Sequence, residues 1–302
     1  MIAIDLGSNT IRAVEYDCKE NKKIKEFEKI VRTADNLVNT KNISKDAINR
    51  IIDAINEMKD VLDFNKHQIK AIATQALRQA DNKDEVVNII KDKTGIEFEV
   101  ISADKEAQYT AIATSECLKR CNIEDNNHFL LVDIGGGSTE LILKKRDIIT
   151  SKSIRLGIVV ITEEYKTPEA IKLAIKKRVK RLKDFIDFSY ATYRKPKIFV
   201  ASSGTPTTIA ALKIGLNYKT YNPDKINGVK LTINDLNFWE DKLLKMDMKK
   251  REELVGVGRG DLIISGIYIF KEIFKLAGYK ECVVCDDGVR EGVAISECKK
   301  LI

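Results

Sequence analysis

Asp133-Ile-Gly-Gly-Gly-Ser-Thr-Glu140 follows the apolar run Phe129 to Val132, and Asp5-Leu-Gly-Ser-Asn-Thr10 follows Ile2 to Ile4. Short apolar runs of this kind form buried strands. Both stretches then set an Asp at the strand end and glycine or hydroxyl residues where the chain must turn. Glycine lets a backbone approach an anion and aim its N–H groups at it, and Ser and Thr add side-chain donors. The Asp cannot hold a phosphate, but it can hold a metal ion that does. One such turn is often only a tight turn. Two on the same plan, about a domain apart, point to an internal duplication built around phosphate. A third turn, Ser203-Gly-Thr-Pro-Thr-Thr208, follows the run Ile198 to Ala201.

The chain has 302 residues, 44% hydrophobic and 32% charged, which suits two ordinary globular domains. Met1-Ile-Ala-Ile-Asp runs straight into a strand without a basic leader, and no apolar run nears the length of a membrane span. Neither secretion nor a membrane partner is expected. Six cysteines suggest reduced thiols in a cytoplasm rather than a disulfide framework. Cys282 and Cys285 have knuckle spacing but lie in an apolar strand, where Cys is a small hydrophobe. Cys117 and Cys121 lie one helical turn apart.

The net charge of +7 is concentrated. From Pro168 to Phe188, Ile171, Ile175, Val179, Leu182 and Ile186 recur at helical spacing, with Lys172, Lys176, Lys177, Arg178, Lys180, Arg181 and Lys183 between them. That is an amphipathic helix with a cationic outer face. It reads as a solvated face or as an electrostatic guide for a polyanion. No aromatic platform or nucleic-acid motif accompanies the charge, so nucleic acid is not expected.

Strands are predicted near 2–5, 11–17, 24–33, 69–73 and 97–101, with helices at 44–62, 83–93 and 104–118. The polar stretch Asn122 to Asn127 marks a boundary, after which the order restarts with strands at 129–133, 139–145 and 148–155 and a helix at 168–188. A strand at 197–201, further helices near 233–245 and 260–277, a strand at 282–285 and a helix from about Arg290 complete the chain. Both halves open with strand, anion turn, strand, strand.

In this order the motifs resemble those of the exopolyphosphatase and guanosine pentaphosphate phosphohydrolase (Ppx/GppA) family, within the actin, Hsp70 and sugar-kinase superfold. They are Ile4 to Thr10 followed by Arg12, Ala73-Thr-Gln-Ala-Leu-Arg78, Ile101-Ser-Ala-Asp-Lys-Glu-Ala107 and Val132 to Glu140. Leu156-Gly-Ile-Val159, Ser203 to Thr208 and Asp287-Gly-Val-Arg-Glu-Gly292 follow. The resemblance runs end to end. It implies an α/β, two-lobed actin-like fold, a duplicated ribonuclease H-like plan with an interlobe cleft. The expected lobes are residues 1–121 and 122–289, with the helix 290–302 packing back on the first. The chain ends soon after the closing motif, like the short family members.

The resemblance also implies a function: release of terminal orthophosphate from inorganic polyphosphate, guanosine pentaphosphate or both. Glu106 matches the general base, with Asp133 and Glu140 as its catalytic companions. Asp5, Asp133 and Glu140 are the expected ligands of Mg²⁺, or of Mn²⁺ in its place. Phosphate contacts are expected from Gly7, Ser8, Asn9, Thr10, Arg12, Gly135, Gly136, Gly137, Ser138, Thr139, Gly204 and Thr205. Arg78, Arg259 and Arg290 join them, since a guanidinium suits bidentate phosphate binding, although a structural ion pair is an equal alternative for each. Glu106 on its own would read as a solvated helix residue, and Asp5 and Asp133 as turn caps. Ala103 and Lys105 stand where the family has Gly and often Glu, and Arg259-Gly-Asp261 replaces Arg-Ala-Asp. Lys105, beside Glu106 in sequence, is expected to lower its pKa. A homodimer is an open expectation. An actin-like ATPase or sugar kinase, and a non-catalytic alarmone or polyphosphate sensor, are the alternatives.

Overall fold

The computed structural model describes all 302 residues. The chain runs β1 (Ile2–Leu6), β2 (Thr10–Asp17), β3 (Lys22–Ile30), α1 (Leu37–Thr40), α2 (Lys45–Val61), β4 (Ile69–Ala73), α3 (Gln75–Gln79), α4 (Lys83–Thr94), β5 (Phe98–Val100) and α5 (Ala103–Arg120). It continues through β6 (His128–Ile134), β7 (Thr139–Lys145), β8 (Ile148–Ile154), α6 (Ile158–Glu164), α7 (Pro168–Tyr193), β9 (Ile198–Ser202) and α8 (Gly204–Lys213). Then come α9 (Pro223–Ile226), β10 (Lys230–Thr232), α10 (Ile233–Leu244), α11 (Met248–Val255), α12 (Leu262–Ala277), β11 (Glu281–Cys285) and α13 (Val289–Lys299).

Two compact units emerge. The first comprises residues 1–113 with 288–302, and the second residues 114–287. The first crossing falls inside α5, ahead of the polar stretch 122–127, and the second falls within the closing motif. The first sheet has the order β3-β2-β1-β4-β5, and the second β10-β11-β9-β6-β7-β8. In each, an antiparallel meander of three strands (β1–β3, β6–β8) is followed by a parallel crossover strand (β4, β9) laid against the first. The duplication read from the two turns is a duplication of topology, the doubled ribonuclease H-like α/β plan of actin-like proteins.

Local chemistry places these elements. Ser44 caps α2 by accepting the Ala47 amide, and Ile48, Ile51, Ile55 and Met58 form its buried face. Thr167 caps α7 with Pro168 in its first turn, and Ile171, Ile175, Val179, Leu182 and Ile186 pack into the second unit's core. The helix runs on to Tyr193, beyond the predicted stop at 188. Strand β3 stops at Ile30, short of the predicted 33, because the Val31 and Arg32 amides turn to bind the Asn9 carbonyl. Glycine in the closing motif has a packing reason. A Cβ on Gly292 would lie 1.9 Å from the Tyr109 carbonyl oxygen, so α13 reaches α5 only without one.

The cysteines depart from the expectation of six reduced thiols. Cys18, just past β2, is disulfide-bonded to Cys298 in α13. Cys282 and Cys285 are buried core residues whose thiols burial pushes above their ordinary range. Cys117 is a buried free cysteine near Cys121 and Cys285. No helix is long and apolar enough to cross a membrane.

Candidate active site

The two anion turns are built alike. In the first, the Gly7 amide donates to the Thr10 carbonyl at 2.9 Å, and in the second the Gly135 amide donates to the Ser138 carbonyl at 2.9 Å. A Cβ at either glycine would sit 3.3 Å from that same carbonyl oxygen, tighter than most side chains tolerate. The next carbonyl is tied inward in both. Ser8 O accepts the Ala34 amide, and Gly136 O accepts those of Val159 and Val160. A planar trans peptide points the following N–H the opposite way. The amides of Asn9 and Gly137 are therefore turned away from the chain that holds the carbonyls, and Gly136 follows because Gly135 O accepts the Ile158 amide. These N–H groups point where an anion contact of the kind expected from the sequence would need them.

This arrangement gives the Leu-Gly-Ile-Val segment its role. Gly157 opens α6 directly against the second turn, and a Cβ there would come within 2.1 Å of the Gly136 oxygen. The hydroxyls do less than expected. Thr139 is fully buried and donates to the Leu156 carbonyl, so it braces the turn and does not face an anion. Thr205 is likewise buried, its Oγ1 packed where α8 meets Gly266 of α12. Gly204 keeps open space around its backbone, as an anion contact requires. Ser8, Asn9 and Ser138 are also largely buried, and Thr10 is half-buried.

Register separates the two halves. Across β1 and β2, Asp5 is opposite Arg12, and Arg12 is opposite Glu28 of β3, whose carboxylate it meets at 3.1 Å. Across β6 and β7, Asp133 is opposite Glu140, which is opposite Ser153 of β8 and accepts its hydroxyl at 2.6 Å. Ser202 of β9 flanks Asp133 on the other side. Directly opposed residues share a sheet face with Cβ atoms about 5 Å apart, and like charges so placed destabilise it. Two opposed carboxylates suit a hard divalent cation, which takes one or two carboxylates and completes its shell with water and phosphate oxygens. The Asp133–Glu140 pair fits Mg²⁺ on that ground, although no group of three His, Cys, Asp or Glu gathers as a ready-made site. Asp5, expected as a third ligand, is opposite Arg12 in the strand register, where Asp133 is opposite an acid.

Glu106 sits in the first turn of α5, its carboxylate 2.7 Å from Nη1 of Arg78, which also donates to the Ile101 carbonyl at 2.9 Å. Both side chains are mostly buried. The helix N-terminus favours a carboxylate there, and Arg78 fixes its direction. Lys105 does not approach it. Its ammonium binds Glu99 at 2.9 Å, and Glu99, also held by Lys70 at 2.6 Å, is kept below the usual carboxylate range by Lys70 and then Lys105. Consecutive helix residues face different ways, so the sequence neighbour is not the electrostatic neighbour. Arg290, expected among the phosphate contacts, is 5% exposed and bonded to Glu26 and Glu291, which makes it an internal tie of the first unit. Arg259 is half-buried just before α12, its carbonyl accepting the Leu262 and Ile263 amides.

Ser153 escaped the sequence reading, yet a signal existed. A two-residue turn, Arg146-Asp147, joins β7 to β8 with Lys145 opposite Ile148, and counting back from it sets Ser153 against Glu140.

The model of the Ppx/GppA phosphatase family matches residues 16–301. The phosphatase family's crystallised member from Aquifex aeolicus is 29% identical with a TM-score of 0.73, covering 99% of this chain and 97% of that one. Exopolyphosphatase 2 of Mycobacterium tuberculosis is 25% identical over 97% of both chains. The bifunctional 3-dehydroquinate synthase/phosphatase of Fusobacterium nucleatum is 28% identical over 94% of this chain, which spans 44% of that relative's length. The exopolyphosphatase structure from Cytophaga hutchinsonii, 21% identical with a TM-score of 0.87 and near-complete coverage of both chains, shares the fold. With its duplicated α/β units, paired anion turns and a family match over nearly its whole length, this chain belongs to the Ppx/GppA phosphatase family.

Proposed function

We propose that the protein is a Mg²⁺-dependent phosphohydrolase that releases terminal orthophosphate from inorganic polyphosphate or guanosine pentaphosphate, with water activated by Glu106. The observation that carries this reading is the opposition of Asp133 and Glu140 beside a turn whose amides are aimed outward. Family membership and the exopolyphosphatase named among the relatives support it.

Asn9, Gly136 and Gly137 supply amide donors for phosphoryl oxygens, which stabilise charge most when fixed before reaction. Asp133 and Glu140 would hold the divalent ion, which when bound spreads the charge of the transferring phosphoryl. Glu106 accepts a proton from the attacking water, and the ion pair with Arg78 orients its carboxylate. The water oxygen bonds to the terminal phosphorus as the bridging P–O bond breaks, and the shortened chain leaves on its bridging oxygen.

Phosphate release from polyphosphates of defined length and from guanosine pentaphosphate, side by side with Mg²⁺, tests the proposal. Release from at least one is expected. Release from neither, with transfer to a sugar hydroxyl from ATP instead, would move the protein to the kinases. Polyphosphate stands first, because a long anionic chain can use cationic surface that a nucleotide cannot reach.

A further inference from the structure

Three of the seven lysines and arginines on α7 are already neutralised. Lys172 pairs with Glu240, Arg178 with Glu164, and Lys183 with Asp187. Lys176, Lys177, Lys180 and Arg181 are exposed and make no ion pair. Their spacing groups them over two turns, with Lys176–Lys180 and Lys177–Arg181 one turn apart. Like charges so spaced destabilise a helix, a penalty that an anion removes.

A second element extends the patch. Helix α7 packs on β8, the free edge strand of its sheet. Lys152 of β8 lies two residues from Ile154, whose side chain belongs to the core cluster that α7 covers. Alternation along a strand gives Lys152 that same face, and it too is exposed without an ion pair. The next residue, Ser153, points to the other face and donates to Glu140. The cationic patch and the Asp133–Glu140 pair thus lie on opposite faces of one sheet, with a single edge strand between them. Leu173 and Phe188, the exposed apolar residues of α7, lie beyond either end of the basic block and interrupt none of it.

We propose that Lys152, Lys176, Lys177, Lys180 and Arg181 form a secondary subsite for the distal part of a long inorganic polyphosphate chain. The chain passes over the edge of β8 while its end occupies the catalytic turn. A linear polyanion fits because the subsite offers charge without aromatic stacking surface or a shaped pocket. The assignment rests on the polyphosphate reading above.

The test uses the full chain with Lys176, Lys177, Lys180 and Arg181 all replaced by Ala, the residue most favourable to a helix. Unchanged circular dichroism and melting confirm the fold. KM for polyphosphate of about a hundred units should rise roughly tenfold or more with kcat unchanged, while tripolyphosphate and guanosine pentaphosphate are unaffected. The slope of log affinity against log salt for the long chain should fall by about 2–3, by analogy with single-stranded polyanions at about 0.7 per neutralised charge. Direct binding of long polyphosphate, measured without turnover, separates the two readings. A wild type that binds but does not hydrolyse it, with binding lost in the variant, overturns the proposed substrate and upholds the subsite. Equal decline on all substrates, or no change on the long chain, overturns the subsite. So does a variant that loses only its binding to anionic lipid vesicles or duplex DNA, which would assign the patch to those partners.

Discussion

The two anion turns agree to a tenth of an ångström in their closing hydrogen bond and differ in what lies across the sheet from the Asp they share. The first unit sets Asp5, Arg12 and Glu28 in line across three strands, so its acids flank a guanidinium. The second sets Ser202, Asp133, Glu140 and Ser153 in line, two acids between two hydroxyls. Backbone geometry survived the duplication and side-chain charge did not. The difference teaches that a glycine turn specifies where an anion can sit, while the strand partners specify whether a cation must accompany it. One half sets a guanidinium among its acids, and the other, with two adjacent acids, is suited to an ion from solution.

The largest expected effect sharpens that division. Glu106→Gln should lower kcat by about 10²- to 10⁴-fold, the usual contribution of a general base, without moving the Mg²⁺ dependence, because Glu106 is paired with Arg78 and is assigned to the water, not to the ion. Steady-state rates over a metal titration would show this, and near-normal turnover would remove Glu106 from the chemistry. Next, Asp133→Asn should raise the Mg²⁺ concentration for half-activity by about tenfold or more, whereas Asp5→Asn should leave it within about twofold. Equal shifts in both variants would erase the contrast between the halves.

A smaller effect concerns how the turns are braced. Gly157→Ala drives a Cβ into the Gly136 carbonyl and should cost about 1–3 kcal/mol in urea unfolding. Gly7→Ala meets its neighbour at 3.3 Å and should cost less than the Gly157 change. The reverse order would mean that the first turn is the more tightly held. Smallest of all is Lys105→Met. A cation next to Glu106 would lower its pKa and extend activity to more acid pH, so removing it would draw the acid limb upward. Lys105 is bound to Glu99, so that limb should move by no more than a few tenths of a unit. A shift of a full unit in the pH–rate profile would place the ammonium near the base after all.

What was legible in the sequence was local. Asp-x-Gly turns after apolar runs, the amphipathic spacing of α2 and α7, and the order of the motifs each depend on residues close together in the chain. Short pieces such as α3, α6 and β10 escaped because a few residues carry no period. Charge partners escaped for another reason. Arg290 meets Glu26 across the whole length of the chain, and Lys105 turns from its neighbour Glu106 to Glu99. Pairing distance in space is set by register and packing, which the guanidinium and ammonium groups do not announce. The Arg146-Asp147 turn is the exception, since its length alone fixes which hydroxyl meets Glu140.

The second unit is an insertion within the first, and this has a consequence for synthesis. Residues 114–287 leave the ribosome as one uninterrupted block, whereas the first unit lacks α13 until that helix is made after them. That helix brings Val293, Ala294 and Ile295 into the cluster that holds Ala3, Val14 and Ile72. Domains generally fold as units once their sequence is available, so the portion translated first is completed last. A chain released before Gly288 would carry the whole second unit and a first unit without α13. A product that stops before α13 lacks part of the core of the unit that carries Glu106.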